Sequence, residues 1–542
     1  MKRSTILFVF RSITLWLLVF LLITLFPGNK AFTQDGWNSG VEKVPKKPVR
    51  EFQFLAYFIN QGVMNNIFAR NDFLKGQTVG RLFGLNTTTT GNVQTLYFEQ
   101  RIIPFFIYQP KLMDGRAILR ASFEIDWTWG DISYTTGGNF GSAISADVVN
   151  IQTQNVELEL IPFNNWAINL GLQRLFDTPY NAYRTFFTTM TYTGYRLAFW
   201  GTDAVGINLL YNSDFSRFKA GFYQLYENNI QQRDDVVLWK FFYERDITPT
   251  WRQGLSFWYV NDRANGEGGV SILGQGLNST LNNYNGTFRF ELGNTLDKPY
   301  KADIYWIGTF WNRNPEFTLG RWMNTGFVVS NIGKVKIKDN GWQNAVDISG
   351  FAANMRTGYR YGQTAEDIIS IDMIFSSGDK DSLSDKKYSG VITGNTWGSP
   401  AAIFLSHGAY LLLPHGNVVN RFISAVSDLS NLGYGLLGGT LNIHKDIIPH
   451  KLSAKIGYAG ATSIYTPATG GKTIGYELNT RISFQPKVFM NLELHAAYMW
   501  LGNFYESTAV NGKSVKITDP VEKTSKPKNP WTMFIVFKWL LF

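Results

Sequence analysis

The stretch that decides the fold is AILRASFEIDWTW, from Ala117 to Trp129. Alternate positions are small or apolar, and the positions between them include Arg120, Glu124 and Asp126. Alternation with a period of two, kept over about ten residues, is typical of a strand with lipid on one side and water on the other. An amphipathic helix repeats every ~3.6 residues and does not produce this spacing. The stretch therefore predicts a strand in the wall of a membrane barrel.

The same alternation recurs further along the chain. Its clearest later examples are residues 288–292, 368–376, 474–484 and 490–496. In the third of these, Ile474, Tyr476 and Leu478 share the predicted outer face. A β-sandwich also alternates, but a barrel ends its outer face in aromatic girdles at the membrane interfaces, and Tyr498 and Trp500 fit such a girdle.

Short and long connections alternate between the predicted strands, as in outer-membrane barrels, which have short periplasmic turns and long outer loops. The predicted turns are 109–114, 162–165, 212–217, 246–249, 294–300, 361–365, 444–450 and 485–487. The predicted loops are 67–93, 130–152, 175–192, 227–233, 261–284, 312–346, 379–432, 463–472 and 502–529. We expect an all-β protein, a transmembrane antiparallel β-barrel of about 18 strands, in which 195–211 is counted as one strand. A barrel of about 16 strands is the alternative.

Composition excludes several other classes of protein. Charged residues make up 17% of the chain, against the roughly 25% of a typical soluble domain. After residue 26, no stretch approaches the ~18 to 20 apolar residues that a membrane-spanning helix needs. The chain has no cysteine, which excludes disulfides, thiolate metal sites and lipid attachment through a cysteine. The net charge of +10 is spread along the chain without a nucleic-acid-binding motif, so we expect no nucleic-acid partner.

The N-terminus has the layout of a secretory signal peptide, with Lys2, Arg3 and Arg11 around the start of an apolar run over residues 13–26. We predict a signal peptide over 1–32, a periplasmic leader over 33–50 and the outer-membrane β-barrel over 51–542. The small-residue cleavage signal near Ala31 is weak, so an uncleaved anchor is the alternative.

Two short motifs carry a family resemblance. The stretch NNWAINLGLQRLF, residues 164–176, resembles the Gly-Arg-Gln-containing strand of the alginate-export family of outer-membrane barrels, with Gly171, Gln173 and Arg174 as matches and Leu172 where an arginine is usual. The stretch IISIDMIFSSGDKD, residues 368–381, resembles that family's strand ending in Ser-Gly-Asp, here residues 377–379. The resemblance implies a barrel of about 18 strands that passes anionic polysaccharide through an arginine-lined lumen.

The last residues, WTMFIVFKWLLF, end on Phe542. A terminal aromatic on an apolar last strand resembles the signal recognised by the outer-membrane barrel assembly machinery. Lys538 departs from that pattern, because it occupies an alternate position that is normally apolar. The assembly machinery is therefore an expected partner, together with outer-membrane lipid.

The polar face of each predicted strand supplies candidate pore-lining residues. They are Arg120, Glu124, Asp126, Glu157, Glu159, Gln173, Arg196, Arg289, Glu291, Arg356, Arg360, Asp372, Glu477, Arg481 and Glu493. Other charged side chains placed inside are Lys240, Arg252, Lys455, Glu244 and Asp303.

Basic and acidic side chains nearly balance in this set. That balance indicates facing charge arrays, which tune selectivity in pores. The alternative, favoured for any single residue, is a ladder of ion pairs that only supports the wall. Arg356 and Arg360 are the best exceptions, because they share one face and their planar guanidinium groups suit carboxylate or phosphate solutes.

The longest predicted loop contains AAIFLSHGAYLLLPHG, from Ala401 to Gly416. A stretch this apolar is not expected to lie in water. We predict that it folds inward as a plug or constriction, or packs on the rim. An extra hairpin of the wall is the alternative.

No motif for catalysis or cofactor binding is found. The five histidines lack metal-ligand spacing, and no phosphate loop or nucleophile elbow occurs. We expect no catalytic residue, metal or cofactor.

The predicted function is an outer-membrane, porin-like channel for diffusion or export of hydrophilic solutes, anionic or saccharide solutes among them. The alternative is a barrel-anchored surface binding or adhesion protein that acts through loops such as 261–284 and 502–529. A membrane-embedded hydrolase comes third. The sequence leaves the solute and the oligomeric state open.

Overall fold

The computed structural model describes residues 47–69, 87–89, 94–128, 150–174, 203–227, 230–264, 299–315, 317–380, 386–392, 408–413, 427, 431–507, 510 and 526–541. The predicted signal peptide and most of the leader lie outside these ranges. No helix in the described ranges is long and apolar enough to cross a membrane.

Eighteen long antiparallel strands, β1 to β18, form one closed sheet. They span Phe52–Asn65, Thr95–Tyr108, Ala117–Thr128, Asn150–Leu160, Trp166–Arg174, Asp203–Asn212, Ser216–Tyr226, Val236–Thr248, Trp251–Asp262, Tyr300–Arg313, Trp322–Lys338, Trp342–Arg360, Ile368–Ser376, Leu436–Ile448, Leu452–Ser463, Thr473–Lys487, Met490–Leu501 and Trp531–Leu541. A short strand, Lys387–Tyr388, pairs in parallel with β12. Two others, Ile67–Ala69 and Thr87–Thr89, pair with each other. Three 3-10 turns cover Lys111–Met113, Asn431–Gly433 and Asn503–Glu506.

The first and last strands close the barrel. β1 pairs with β2 along one edge and with β18 along the other, in a register that runs from Ala56 opposite Leu541 to Asn65 opposite Thr532. Closure leaves no edge strand with unpaired backbone groups, which the interior of a bilayer would not tolerate. The predicted all-β barrel of about 18 strands is confirmed.

Each strand has one apolar, exposed face and one buried face. On β16, Tyr476, Leu478 and Ile482 are exposed, whereas Glu477 and Asn479 between them are buried. Because the exposed face is the apolar one, it is the face that would contact acyl chains, and the buried face lines the interior. β13 and β17 show the same division.

Connections differ between the two ends of the barrel. At one end, the turns are short, and the start of β1 and the end of β18 lie at this end as well. At the other end, the connections include 263–299 and 377–435. We call these the turn end and the loop end, and by the rule of short periplasmic turns the turn end is the periplasmic one.

The predicted loop over 312–346 is wrong, because Trp322–Lys338 forms β11, a strand of the wall. Its inward side chains Phe327 and Val329 are apolar, so it lacks the alternation used to find the others. A hairpin signal was nevertheless present. Asn340 and Gly341 take φ values of 47° and 115° in the turn between β11 and β12, the positive values that an Asn-Gly hairpin turn requires.

The predicted wall strand at 288–292 lies outside the described residues and is not among the described strands. β9 pairs directly with β10, from Trp251 opposite Arg313 to Asp262 opposite Ala302. No wall strand therefore lies between them, and Arg289 and Glu291 fall outside the described residues. The eighteen described strands thus include β11, which the sequence analysis missed, and none at 288–292.

Two side chains lie on the face opposite to the predicted one. Ile474 is fully buried, because the register of β15 and β16 shifts at this point and Gly475 adopts a φ of 153°. This bulge reverses the parity of the strand before it. Asp303 lies on the outer face of β10, where its carboxylate binds Arg263 at 2.8 Å and accepts a hydrogen bond from the Tyr259 hydroxyl at 2.8 Å. Both residues sit near the loop end, where polar groups can reach water.

Candidate functional site

The interior of the barrel gathers most of the candidate pore-lining residues. Ten of them have described side chains on the inner faces of the strands: Arg120, Glu157, Glu159, Gln173, Arg356, Arg360, Asp372, Glu477, Arg481 and Glu493. Arg196, Arg289 and Glu291 lie outside the described residues. Glu124 and Asp126 belong to β3, but their side chains lie outside the described part of the structure.

One ion-pair cluster joins β3 and β4. The Arg120 guanidinium lies 3.2 Å from the Glu157 carboxylate and 3.1 Å from that of Glu159. All three side chains are buried. Two carboxylates on one strand, two positions apart, point inward together, and the arginine opposite them holds both. This cluster has the geometry of a ladder that supports the wall.

A second cluster joins β7, β8 and β9. Arg217 binds Glu244 at 3.4 Å and Asp246 at 3.0 Å, and Arg252 binds the same two carboxylates at 3.3 and 2.8 Å. The sequence analysis missed Arg217 because it placed this residue at the end of a turn. The alternation of Arg217 and Lys219 with the half-buried Phe218 could have identified Arg217 as an inward-facing residue of a strand.

A row of basic side chains crosses four neighbouring strands. In register, His444 of β14 lies opposite Lys455 of β15, Lys455 opposite Arg481 of β16, and Arg481 opposite His495 of β17. Cross-strand neighbours have Cβ atoms about 5 Å apart, so the four form a continuous band on the inner wall. The sequence analysis considered the two histidines only as metal ligands. Within the described residues, no group of acidic and histidine side chains is arranged to hold a metal ion.

Two arginines stand near this band. Arg356 lies opposite Asp372 on β13, and Arg360 lies four positions further along β12, at the turn end. The Arg360 guanidinium is 5.6 Å from the centre of the Phe317 ring. Together with Lys455 and Arg481 of the band, they place four basic side chains on β12, β15 and β16.

A carboxylate near the band binds a segment of the longest loop. Glu477 accepts hydrogen bonds from the backbone N–H of Tyr410 at 2.7 Å, Leu411 at 2.9 Å and Leu412 at 2.7 Å. The Asn479 amide donates to the same carboxylate at 2.7 Å. Since Glu477 is on the inner face and fully buried, residues 408–413 lie inside the barrel. We call them the inner segment.

Further contacts hold the inner segment against the wall. The Lys455 ammonium donates to the backbone carbonyl of Gly408 and lies 4.2 Å from the centre of the Tyr410 ring. That ring also contacts His495 edge-on, with centroids 5.0 Å apart, and His495 stacks on Phe534 at 4.4 Å. The predicted inward fold therefore holds for these residues. Ala401 to His407 and Pro414 to Gly416 lie outside the described residues.

The beginning of the same loop also enters the barrel. Ile392 donates its N–H to Asn331 at 3.1 Å and accepts the Trp306 indole N–H at 2.9 Å, and both partners face inward. Asp379, from the Ser-Gly-Asp motif, accepts the N–H of Ser389 at 2.8 Å. The motif thus turns the loop back toward the wall. The loop packs on β10 and β11 here and on β15 to β18 through the inner segment.

Part of the inner face of β8 to β10 is apolar rather than polar. Phe242, Trp258, Trp306 and Phe310 point inward and are fully buried. The alternating pattern predicts polar side chains on the inner face. Because these side chains are removed from water, apolar residues are stable on the inner face here, and Ile392 of the loop contacts one of them, Trp306.

The structure explains why Lys538 departs from the pattern of a last strand. Its ammonium points inward and binds Glu493 at 2.8 Å, while Ile535 and Trp539 are exposed on the outer face. The face that shares parity with Phe542 is therefore the inner face of β18, where a lysine with an acidic partner is accommodated.

No protein-family model matches the sequence, and no curated protein matches it. Several solved structures are similar in fold. One is Acinetobacter baumannii OccAB1, with a TM-score of 0.49, 10% identity, and coverage of 93% of this chain and 100% of that one. Another is a BenF-like porin from Pseudomonas fluorescens Pf-5, with a TM-score of 0.46, 10% identity, and coverage of 91% and 99%. A third is Pseudomonas aeruginosa OccK2 (OpdF) in complex with glucuronate, with a TM-score of 0.46, 10% identity, and coverage of 91% and 96%.

Proposed function

We propose that this chain is a porin-type channel of the bacterial outer membrane that lets hydrophilic solutes cross. The observation that carries the proposal is a closed wall of eighteen strands with an apolar outer face and ionised side chains inside. An apolar outer band suits acyl chains, and a charged inner face suits an aqueous lumen. The proposed mechanism is diffusion along the inner wall, with no catalytic step.

Anionic solutes are the proposed cargo. Lys455 and Arg481 of the basic band, with Arg356 and Arg360 beside it, offer positive charge inside the barrel. Guanidinium groups bind carboxylates through paired hydrogen bonds, which suits uronates and aromatic acids. Glucuronate, which is present in one of the similar solved structures, is a convenient probe.

A place in the alginate-export family is a further part of the proposal. It is supported only by the two short motifs, around Gln173 and around Asp379. Leu172 departs from the family's arginine. If the family assignment is correct, the solute would be an acidic polysaccharide, which also carries carboxylates.

Planar-bilayer recording and liposome swelling test the channel. We expect discrete conductance steps, and faster swelling with uronates than with neutral sugars or basic amino acids of similar size. A protein that inserts but stays electrically silent under all voltages would contradict the proposal.

A matched pair of variants tests the cargo. Arg356→Gln with Arg360→Gln removes two charges inside the barrel, and we expect the permeability ratio of anions to cations to fall. Arg313→Gln with Arg321→Gln removes two charges at exposed positions of the turn end and serves as the control. Equal ratios in the two double variants would contradict an anionic cargo selected by these arginines.

One observation favours the alternative of a barrel-anchored surface binding protein. Ile392 and the inner segment both contact inward-facing side chains, and Trp258 and Trp306 are fully buried on the inner wall. A filled barrel would serve as an anchor for the outer loops. The bilayer recording separates the two functions, since an anchor stays closed.

The proposal also places the protein in the outer membrane after removal of residues 1–32. N-terminal sequencing of the protein purified from membranes tests this step. A mature chain that still begins at Met1 would contradict cleavage.

A further inference from the structure

A patch of lysines lies on the outer face of the barrel at its loop end. Lys334, Lys336 and Lys338 alternate along β11 with inward or half-buried residues and are exposed, and Lys301 lies beside them on β10. β11 and β12 are the longest strands of the wall, at 17 and 19 residues. They therefore carry their outer face beyond the apolar band.

The height of the patch follows from strand geometry. Trp322 and Tyr359 pack together at the turn end of β11 and β12, with ring centroids 4.8 Å apart, in the position of an interfacial girdle. With a rise of about 3.4 Å per residue and a tilt of about 40°, Lys334 lies about 31 Å above Trp322 and Lys338 about 42 Å. The apolar band of such barrels is about 25 Å tall. The lysines thus lie at the level of the outer headgroups.

Ile307 and Ile332 are the exposed apolar residues just below the patch. They provide contacts for acyl chains under the lysines. The outer face is therefore apolar up to these two residues. Above them it carries Asp303 and Asp347 at the level of Lys334, and then Lys301, Lys336 and Lys338.

Charge is balanced at Lys334 but not at its neighbours. Lys334 lies opposite Asp347 in register, with the ammonium 3.8 Å from the carboxylate. Lys336 instead lies directly opposite Lys301. Like charges in directly opposed positions of a sheet are destabilising, so this pair lowers stability unless an anion lies between the two ammonium groups.

The other contacts of the patch leave room for such an anion. The Lys301 ammonium lies 4.2 Å from the centre of the Trp342 ring, which positions it without neutralising it. Lys338 follows Lys336 on the same face, with Asp339 next to it at the hairpin. Among the described residues, neither Lys336 nor Lys338 forms an ion pair.

Other wall strands present a different outer face near the loop end. β16 and β17 expose Tyr476, Tyr498 and Trp500 there, and β14 exposes Leu437. These are the aromatic and apolar side chains expected at a membrane interface. The basic patch is thus a local feature of β10 to β12 and not a general property of the rim.

We propose that Lys301, Lys336 and Lys338 bind the phosphate groups of a phosphorylated glycolipid in the outer leaflet. Ammonium groups bind phosphate oxygens as point charges, and the acyl chains of the same lipid would lie against Ile307 and Ile332. The inference rests on the proposed outer-membrane location but not on transport, so a silent channel leaves it intact.

The test is binding of fluorescent bisphosphorylated lipid A to the full-length protein in neutral detergent. The triple variant Lys301→Gln, Lys336→Gln, Lys338→Gln is expected to bind about a hundredfold more weakly, since each basic side chain near an anionic surface changes affinity about fivefold. The matched control is Lys111→Gln, Lys451→Gln, Lys487→Gln, which removes the same charge from exposed positions at the turn end. It should bind as the unmodified protein does.

Two further probes decide the chemistry. Lipid A without phosphates should bind unmodified protein as weakly as the triple variant binds the phosphorylated form. Phosphatidylglycerol micelles should bind all three proteins alike. Two results would overturn the proposal. In the first, the triple variant binds lipid A as tightly as the control variant does. In the second, the three substitutions weaken binding of phosphatidylglycerol as much as they weaken binding of lipid A. Circular dichroism confirms that each variant is folded.

Discussion

Individual charged side chains inside the barrel have two different surroundings. Arg120 and Arg217 are buried among carboxylates, with each guanidinium within 3.4 Å of two of them. Arg360, by contrast, lies against a ring, and Arg481 is 3.9 Å from the Glu366 carboxylate, which is more than half exposed. Residues of the first kind support the wall, and those of the second kind are better placed to meet a solute.

Arg120→Met is expected to lower the free energy of unfolding by about 3 to 5 kcal/mol. The substitution leaves Glu157 and Glu159 buried without their cation, and removal of one partner from a buried ion pair costs about that much. Equilibrium unfolding in urea from detergent micelles or liposomes measures the change.

The triple variant Arg120→Met, Glu157→Gln, Glu159→Gln is the control for this prediction. It removes all three charges together and should recover most of the lost stability, because no unpaired ion stays buried. If the single and triple variants are equally unstable, packing and not charge accounts for the effect.

Asp367, in the turn between β12 and β13, predicts how stability depends on pH. A hydrogen bond from the Asp446 backbone N–H lowers the pKa of this carboxyl to about 2, with Lys445 adding to the effect and burial opposing it. A carboxyl whose pKa is lower in the folded state stabilises the fold at pH values above its unfolded pKa of about 3.9. That stabilisation is lost as the pH falls from there to about 2.

The difference in unfolding free energy between the unmodified protein and Asp367→Asn measures this effect. We expect Asp367→Asn to be less stable at pH 7, and the two proteins to converge at about pH 2. A difference that stays constant across this range would show that the carboxylate charge is not involved.

At the scale of elements, the 377–435 connection matters most, because it is the part of the loop end that enters the barrel at two places. Its inner segment offers three backbone N–H groups to Glu477. A buried carboxylate that accepts several N–H bonds is a strong anchor, since each hydrogen bond to a charged group contributes about 1.5 to 3 kcal/mol.

Glu477→Gln is expected to release the inner segment and raise single-channel conductance. Leu411 and Leu412 share one carboxylate oxygen, so an amide nitrogen at that position would face two N–H donors and accept neither. Asp372→Asn removes a buried carboxylate from β13, another strand of the wall, and should not raise conductance as Glu477→Gln does.

A second readout of the same variant does not depend on conduction. The chain has no cysteine, so Leu411→Cys introduces a single thiol. We expect a bulky water-soluble thiol reagent to label it slowly in the otherwise unmodified protein and faster beside Glu477→Gln. Equal labelling in the two backgrounds would mean that Glu477 does not hold the segment.

At the scale of the whole molecule, the direction of every strand's apolar face decides how the barrel meets lipid. Leu478→Arg, on the outer face near the middle of β16, is expected to cost about 2 to 4 kcal/mol of folding free energy in liposomes. Val488→Arg, in the exposed turn after β16, should cost about 0 to 1 kcal/mol. Urea titration of folding into liposomes measures both, and similar costs at the two positions would contradict a lipid-facing Leu478.

The sequence by itself determined the class of fold, because a strand between lipid and water must alternate, and alternation is visible in one chain. It also identified the inward direction of Glu477 and the other candidate lining residues described here, since parity is a local property. Tertiary structure decided what each inner face touches. β11 went unrecognised because Phe327 and Val329 point inward, and Trp306 of the apolar inner wall nearby contacts Ile392 of a loop distant in sequence. The ion-pair partners and the position of the inner segment likewise depend on residues distant in sequence, which only closure of the barrel brings into contact.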